Sequence, residues 1–217
     1  RYDRPDALLY KVNGVWQPTS HRQILEQVRH LALGLEDLGI TAQDRVAILS
    51  ENRPEWLLTD YACMCSGITN VPVYATLPAE QIPYLLNDSG ARAVVVSTVD
   101  QARKIASIRS QTPGLQWVIG MSATAADGCD MTFAELVARG AARDSAERAT
   151  AFKERALQIT PDTLLTLIYT SGTTGNPKGV MLTQDNVHSN VIACQQVFQS
   201  SVTDTALSFL PLSHIFE

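Results

Sequence analysis

The sequence predicts an α/β fold, a largely parallel sheet with helices packed on its faces. Two observations carry that prediction. Up to Gly120, short apolar and β-branched runs alternate with stretches of helical period, as in successive strand–helix–strand units. The 217 residues are also 45% hydrophobic and only 18% charged, enough to fill a sizeable core and too apolar for global disorder.

The elements follow in order. "SHRQILEQVRHLALGLEDLG" places Ile24, Leu25, Val28, Leu31, Leu35 and Leu38 on one helical face, with Ser20 as N-cap and Gly39 as terminator. "RVAILS" from Arg45 reads as a buried strand, and "RPEWLLTDYACMCSG" as a helix with Pro54 in its first turn. "NVPVY" from Asn70 is the next strand. "AEQIPYLLNDSG" is a helix that Pro83 bends or starts late. "RAVVVS" from Arg92 is a strand, "VDQARKIASIRSQ" a helix, and "LQWVIG" closes the series.

Between Met121 and Leu157 the composition turns to Ala, charge and small polar residues, which reads as a surface excursion with one or two exposed helices. A strand pair around Thr163–Thr183 follows, then a helix through "QDNVHSNVIACQQVF" and a strand in "TALSFLPL". A strand ending at "LPLSHIFE" should feed another element, so the chain is expected to be the front portion of something longer. There are no internal repeats.

Composition also excludes function classes. The formal net charge of −5 offers no basic stripe for a nucleic acid. The longest weakly charged run, from Trp56 to Ala79, contains Asp60, several polar residues and three Gly/Pro positions, so it is not a membrane span. No basic-then-apolar leader precedes it, and the absent initial Met suggests a trimmed start. Cys63, Cys65, Cys129 and Cys194 show no CxxC pairing and are expected to be free thiols in a reducing compartment, the cytoplasm by default.

"TLLTLIYTSGTTGNPKGVMLT" is the stretch with chemistry in it. Two apolar strands flank an insert that offers the hydroxyls of Thr170, Ser171, Thr173 and Thr174, three glycines and Lys178. Glycines let backbone N–H groups approach a ligand, hydroxyls donate to anionic oxygens, and lysine adds a compact positive charge. The guest this suits is a polyphosphate. It is not the GxxxxGK[ST] loop of other nucleotide enzymes, because Pro177 precedes the lysine and Gly179 follows it. "VMLT" then prefers a strand, so no helix N-terminus is on offer. A plain hairpin turn would need only two to five residues.

"YTSGTTGNPKGV" closely resembles the phosphate-loop signature of the adenylate-forming superfamily, which includes acyl-CoA synthetases, luciferases and peptide-synthetase adenylation domains. "ENRPEW", "VPVYATLPAEQIPYLLNDSGARAVVV" and "LSFLPLSHIFE" look like long-chain fatty-acid–CoA ligases in particular, with Glu217 after Phe216 where aryl-CoA ligases and luciferases usually carry glycine. The resemblance covers nearly the whole chain, most weakly over Met121–Leu157. It implies a fold, the front part of the large N-terminal domain of such an enzyme. Residues 1–120 would form a first α/β subdomain, 121–157 a surface excursion, and 158–217 the phosphate-loop region and the start of a second subdomain.

The resemblance also implies a reaction. A fatty carboxylate attacks the α-phosphate of ATP, pyrophosphate leaves, and the thiol of coenzyme A displaces AMP. Charge builds on the departing pyrophosphate, so donors and a cation there lower the barrier. By the same resemblance Thr170, Ser171, Gly172, Thr173, Thr174, Gly175 and Lys178 hold the phosphates, Thr170 is the hydroxyl near magnesium (Mg2+), and His214 stands close to the reacting carboxylate. "ENRPEW", with Trp56, reads as a packing element, a Pro–aromatic helix start. The family's adenine-side motif, ribose-binding aspartate, hinge and small C-terminal domain are not in this sequence, so the 217 residues alone are expected not to adenylate. A relative that passes the acyl group to a carrier-protein thiol and a non-catalytic nucleotide-binding module are the other readings. Fatty acid, ATP and coenzyme A are the expected partners, with peripheral membrane contact left open.

Overall fold

The computed structural model describes residues 3–123, 127–170, 175–198 and 201–214. It opens with an antiparallel hairpin absent from the sequence reading, β1 (Leu8–Val12) and β2 (Val15–Thr19), turning at Asn13 and Gly14, both with positive φ. The hairpin buries neither face, so its sequence carries no alternation to find. Helix α1 (His21–Asp37) starts where expected. Ser20 Oγ accepts from Gln23 N at 3.2 Å, and Gln23 Oε1 accepts from Ser20 N at 2.8 Å, a complete capping box. Its core-facing stripe runs through Ile24, Val28, Leu31 and Leu35. Leu25, expected on that face, lies about 100° off it and is 57% exposed.

The strand–helix series then runs as the sequence predicts: β3 (Arg45–Leu49), α2 (Pro54–Ser66), β4 (Thr69–Val73), α3 (Ile82–Ser89), β5 (Ala93–Val96), α4 (Val99–Ile108) and β6 (Trp117–Gly120). Pro83 occupies the first turn of α3, after a 3-10 turn at Ala79–Gln81. Beyond it come β7 (Met131–Thr132), α5 (Phe133–Ala142), α6 (Ala146–Leu157), β8 (Leu164–Thr170), β9 (Lys178–Thr183) and α7 (Gln184–Val197).

The strands form a seven-stranded sheet in the order β7-β6-β5-β3-β4-β8-β9. All neighbours are parallel except β9, which returns antiparallel to β8. Alternate residues of the central strands point to opposite faces. Val46, Ile48, Ala93 and Val95 meet a layer containing α1, α2 and α5, while Ala47, Leu49, Val71, Val94 and Val96 meet α3 and α4.

Two expectations need correction. The segment Met121–Leu157 forms two helices, but it does not merely lie on the surface. Met131, Phe133, Leu136 and Phe152 are buried in the α1–α2 side of the core. Residues 205–212 form no strand. Side chains take their backbone groups instead, Arg4 reaching the Val202 and Asp204 carbonyls just before them and Asn52 reaching Leu210 and Leu212. Pro211 has no N–H for a ladder.

Helices α1 and α5 pack with backbone touching backbone. A Cβ on Gly140 would lie 1.7 Å from the His30 carbonyl oxygen, and one on Gly34 would lie 2.4 Å from that of Leu136. Neither clash can be relieved by rotating a side chain. Gly140→Ala is therefore expected to lower stability by about 3 kcal/mol or more in urea unfolding. Gly114→Ala, where a Cβ meets nothing within 4 Å, should change it little. Equal midpoints for the two variants would contradict this packing.

Candidate active site

The glycine–hydroxyl insert hangs from a hairpin whose stem is well defined. In the β8–β9 ladder Thr170 is the cross-strand partner of Lys178, and Tyr169 that of Gly179. The sequence-predicted residues Thr170 and Lys178 thus close the mouth of the loop side by side. Ser171, Gly172, Thr173 and Thr174 lie outside the described residues. Gly175 has φ +125, a conformation L side chains rarely adopt. Lys178 is exposed, and among the described residues no carboxylate pairs with it.

The stem is fixed from one side. Tyr169 donates to Asp88 Oδ2 at 2.7 Å and packs edge-on against Tyr84, with ring centroids 6.4 Å apart. Its burial, and then Asp88, push the phenol above its usual range. A Cβ on Gly179 would sit 3.2 Å from the Tyr169 ring, so glycine lets that ring lie across the strand pair.

A polar relay ties β8 to the main sheet. Thr166 and Asn70 are register partners; Thr166 Oγ1 donates to Asn70 Oδ1 at 2.5 Å, and Asn70 Nδ2 donates to Asp60 Oδ1 on α2. Sequence reasoning missed these three. The available signal was an asparagine inside the otherwise apolar strand "TNVPV" and an aspartate within an apolar helix.

Beside this relay lies a cavity of about 220 Å³, lined by Trp56, Asp60, Asn70, Thr166, Leu212 and His214 among others. The Trp56 indole N–H is buried and has no partner among the described residues. His214 reaches the cavity from a turn closed by its own N–H on the Pro211 carbonyl at 2.8 Å. One wall is β8 itself, through Leu165, Thr166 and Ile168. The histidine cavity and the Thr170/Lys178 mouth therefore share one strand, Thr166 preceding Thr170 by about 13 Å of extended chain.

Among the described residues no group of three or more His, Cys, Asp or Glu side chains could hold a metal, and all four cysteines are free thiols. A magnesium ion at this site would rest mainly on the phosphates it accompanies, with the Thr170 hydroxyl as the one nearby side-chain donor expected from sequence. That suits an ion that keeps phosphate and water ligands.

Asp60 should be visible in a pH titration. Burial pushes its carboxyl up to about 6, with Asn70's donated bond pulling the other way. An unfolded aspartate titrates near 3.9, so between roughly pH 4 and 6 the fold binds the proton more tightly than the unfolded chain. Its contribution to stability falls as pH rises through that window and stays low above it. Asp60→Asn keeps an oxygen for Asn70, and is expected to stabilise the protein by about 1–3 kcal/mol at pH 7. Urea midpoints should show that gain shrinking toward pH 4; a variant less stable than the parent at pH 7 would contradict it.

With this geometry in hand, comparison with known proteins is informative. The family model described as AMP-binding enzyme matches residues 2–217. Long-chain-fatty-acid–CoA ligase FadD15 of Mycobacterium bovis is 36% identical over 217 residues, covering 98% of this chain and 35% of that protein. Long-chain-fatty-acid–CoA ligase 5 of Rattus norvegicus is 31% identical over 223 residues, covering 95% and 32%. The chain thus spans about a third of the length of these curated relatives. Among solved structures, the N-terminal domain of FACL13 from Mycobacterium tuberculosis superposes with a TM-score of 0.75 at 29% identity, over 93% of this chain and 46% of that one. The long-chain-fatty-acid–CoA ligase FadD1 of Archaeoglobus fulgidus gives 0.76 over 94% and 38%, and at 21% identity it speaks to the fold alone. The fold is that of the N-terminal domain of adenylate-forming ligases, and the chain belongs to the AMP-binding enzyme family.

Proposed function

We propose that the full-length protein activates a long-chain fatty acid with ATP and passes the acyl group to coenzyme A. In the first step a carboxylate oxygen attacks the α-phosphorus and the bond to pyrophosphate breaks. In the second the coenzyme A sulfur attacks the acyl carbon and the bond to AMP breaks. The observation that supports this best is the mouth of the β8–β9 hairpin. There Lys178, exposed and without a carboxylate partner among the described residues, stands beside Thr170, in a chain whose relatives are named long-chain-fatty-acid–CoA ligases.

In this reading Thr170 and Lys178, with the loop between them, hold the β- and γ-phosphates and offset the charge that develops as pyrophosphate leaves. Magnesium, when bound, supplies further neutralisation of the same oxygens. His214 donates a hydrogen bond to the reacting carboxylate or to the adenylate that forms from it, from a cavity walled by β8.

Acid-dependent ATP–pyrophosphate exchange by the full-length protein, across acids from acetate to palmitate, tests this reading. Exchange should rise with chain length, and coenzyme A should convert it into net AMP release. Lys178→Ala is expected to slow exchange by about 10²-fold or more, the scale for losing one donor to transition-state charge. No exchange with any acid in a folded protein, or an unimpaired Lys178→Ala, would refute it.

A further inference from the structure

We propose that Asn52 is a positioning residue for His214, acting through the backbone of Leu210 and Leu212. The inference deepens the reading above and rests on His214 acting at the carboxylate. It gives "ENRPEW" a purpose beyond packing.

The geometry is that of a missing strand supplied by one side chain. Asn52 Oδ1 accepts the Leu212 N–H at 2.8 Å, and Asn52 Nδ2 donates to the Leu210 carbonyl at 2.6 Å, with Ser208 Oγ at 3.4 Å. A neighbouring strand would satisfy one N–H and one C=O two residues apart in this way. His214 follows two residues later, and little slack lies between. Leu212 packs against the core, Ser213 is 4% exposed, and the turn closes on Pro211. The 201–209 stretch that leads to the histidine is exposed, tied at its start by Arg4 to the Val202 and Asp204 carbonyls and at its end by Asn52.

Asn52 can serve because its own backbone is held on both sides. Glu51 accepts from Ser97 Oγ and from Gln101 Nε2 at 3.3 Å. Arg53 donates to the Ser97 carbonyl at 3.0 Å and grips both carboxylate oxygens of Glu55 at 2.8 and 3.0 Å. Ser50 Oγ donates to the Glu51 carbonyl at 2.7 Å. The turn after β3 is thus bound to the end of β5, and Asn52 projects from a rigid mount. The chemistry admits few substitutes. Aspartate lacks the N–H for Leu210, glutamine is one methylene longer, and alanine offers neither group.

Surface hydrogen bonds contribute little to global stability, whereas misplacing a reacting group by about 1 Å can cost up to about 10²-fold in rate. Asn52→Ala should therefore damage activity far more than folding. The control is Arg92→Ala, which removes bonds to the Gly39 carbonyl and to Asp44 at the opposite, amino-terminal edge of the sheet.

The test uses the full-length protein and reads two quantities. First, amide hydrogen exchange at Leu212 should accelerate at least tenfold in Asn52→Ala and not in Arg92→Ala; unchanged exchange would overturn the proposal whatever His214 does. Second, in acid-dependent ATP–pyrophosphate exchange, Asn52→Ala should lower kcat by about 10- to 100-fold with KM for ATP within about twofold. The double variant with His214→Ala should be no slower than His214→Ala alone, because the two act as a unit. Losses that multiply would show that Asn52 acts independently of His214 and overturn the proposal. An active His214→Ala would instead overturn the functional reading of the histidine and, with it, the catalytic arm of the inference, while the Leu212 exchange still reports on the docking.

Discussion

The burial of β3, β4 and β5 on both faces governs everything else in this molecule. Strands such as "RVAIL" and "AVVV" have no face for water, so helices must cover the sheet on both sides. The chain leaves β3 for α2 on one face and β5 for α4 on the other, and the two exits diverge at the carboxyl edge of the sheet. That edge is where ligands bind in open α/β sheets. Here the two exits are linked by hydrogen bonds among Glu51, Arg53, Ser97 and Gln101. Asn52 follows β3, and Thr170 ends β8, which runs parallel to β4.

The attachment of β8 to β4 shows how a polar relay can serve where an apolar contact would not. Thr166, Asn70 and Asp60 are joined by hydrogen bonds, with the carboxyl at the end of the chain raised toward pH 6 by burial. A partly satisfied carboxyl in such a place is costly. It also lines the same cavity as His214.

Much of this was legible in the sequence, for physical reasons that also mark its limits. The N-cap at Ser20, the Pro54 and Pro83 helix starts and the buried strands all follow from local pattern and backbone restriction. The two strands that carry Thr170 and Lys178 follow from two β-branched runs flanking a glycine-rich insert, whereas their register pairing is seen only in the fold. What escaped reading depends on distant residues. Phe133 and Leu136 are covered because Gly34 and Gly140 let two helices touch, a contact no local composition announces. Residues 205–212 carry strand-forming side chains, yet Asn52 from far upstream claims the backbone of Leu210 and Leu212, and Arg4 that of Val202 and Asp204 just before them. Asn52 looked like part of a helix start because its partners are about 160 residues away.

The chain as a whole is anionic, at −5, so no general field draws a polyphosphate to it. In the proposed function, recognition comes from donors fixed at short range, and Lys178 at the mouth of the hairpin is the cation assigned to it. The most direct measurement is therefore mass-spectrometric labelling of lysines in the full-length protein by an amine-acylating reagent, with and without ATP. Saturable protection of Lys178, with exposed Lys153 on α6 labelled equally in both conditions, is the result this account predicts. Equal labelling of Lys178 with and without saturating ATP would contradict it.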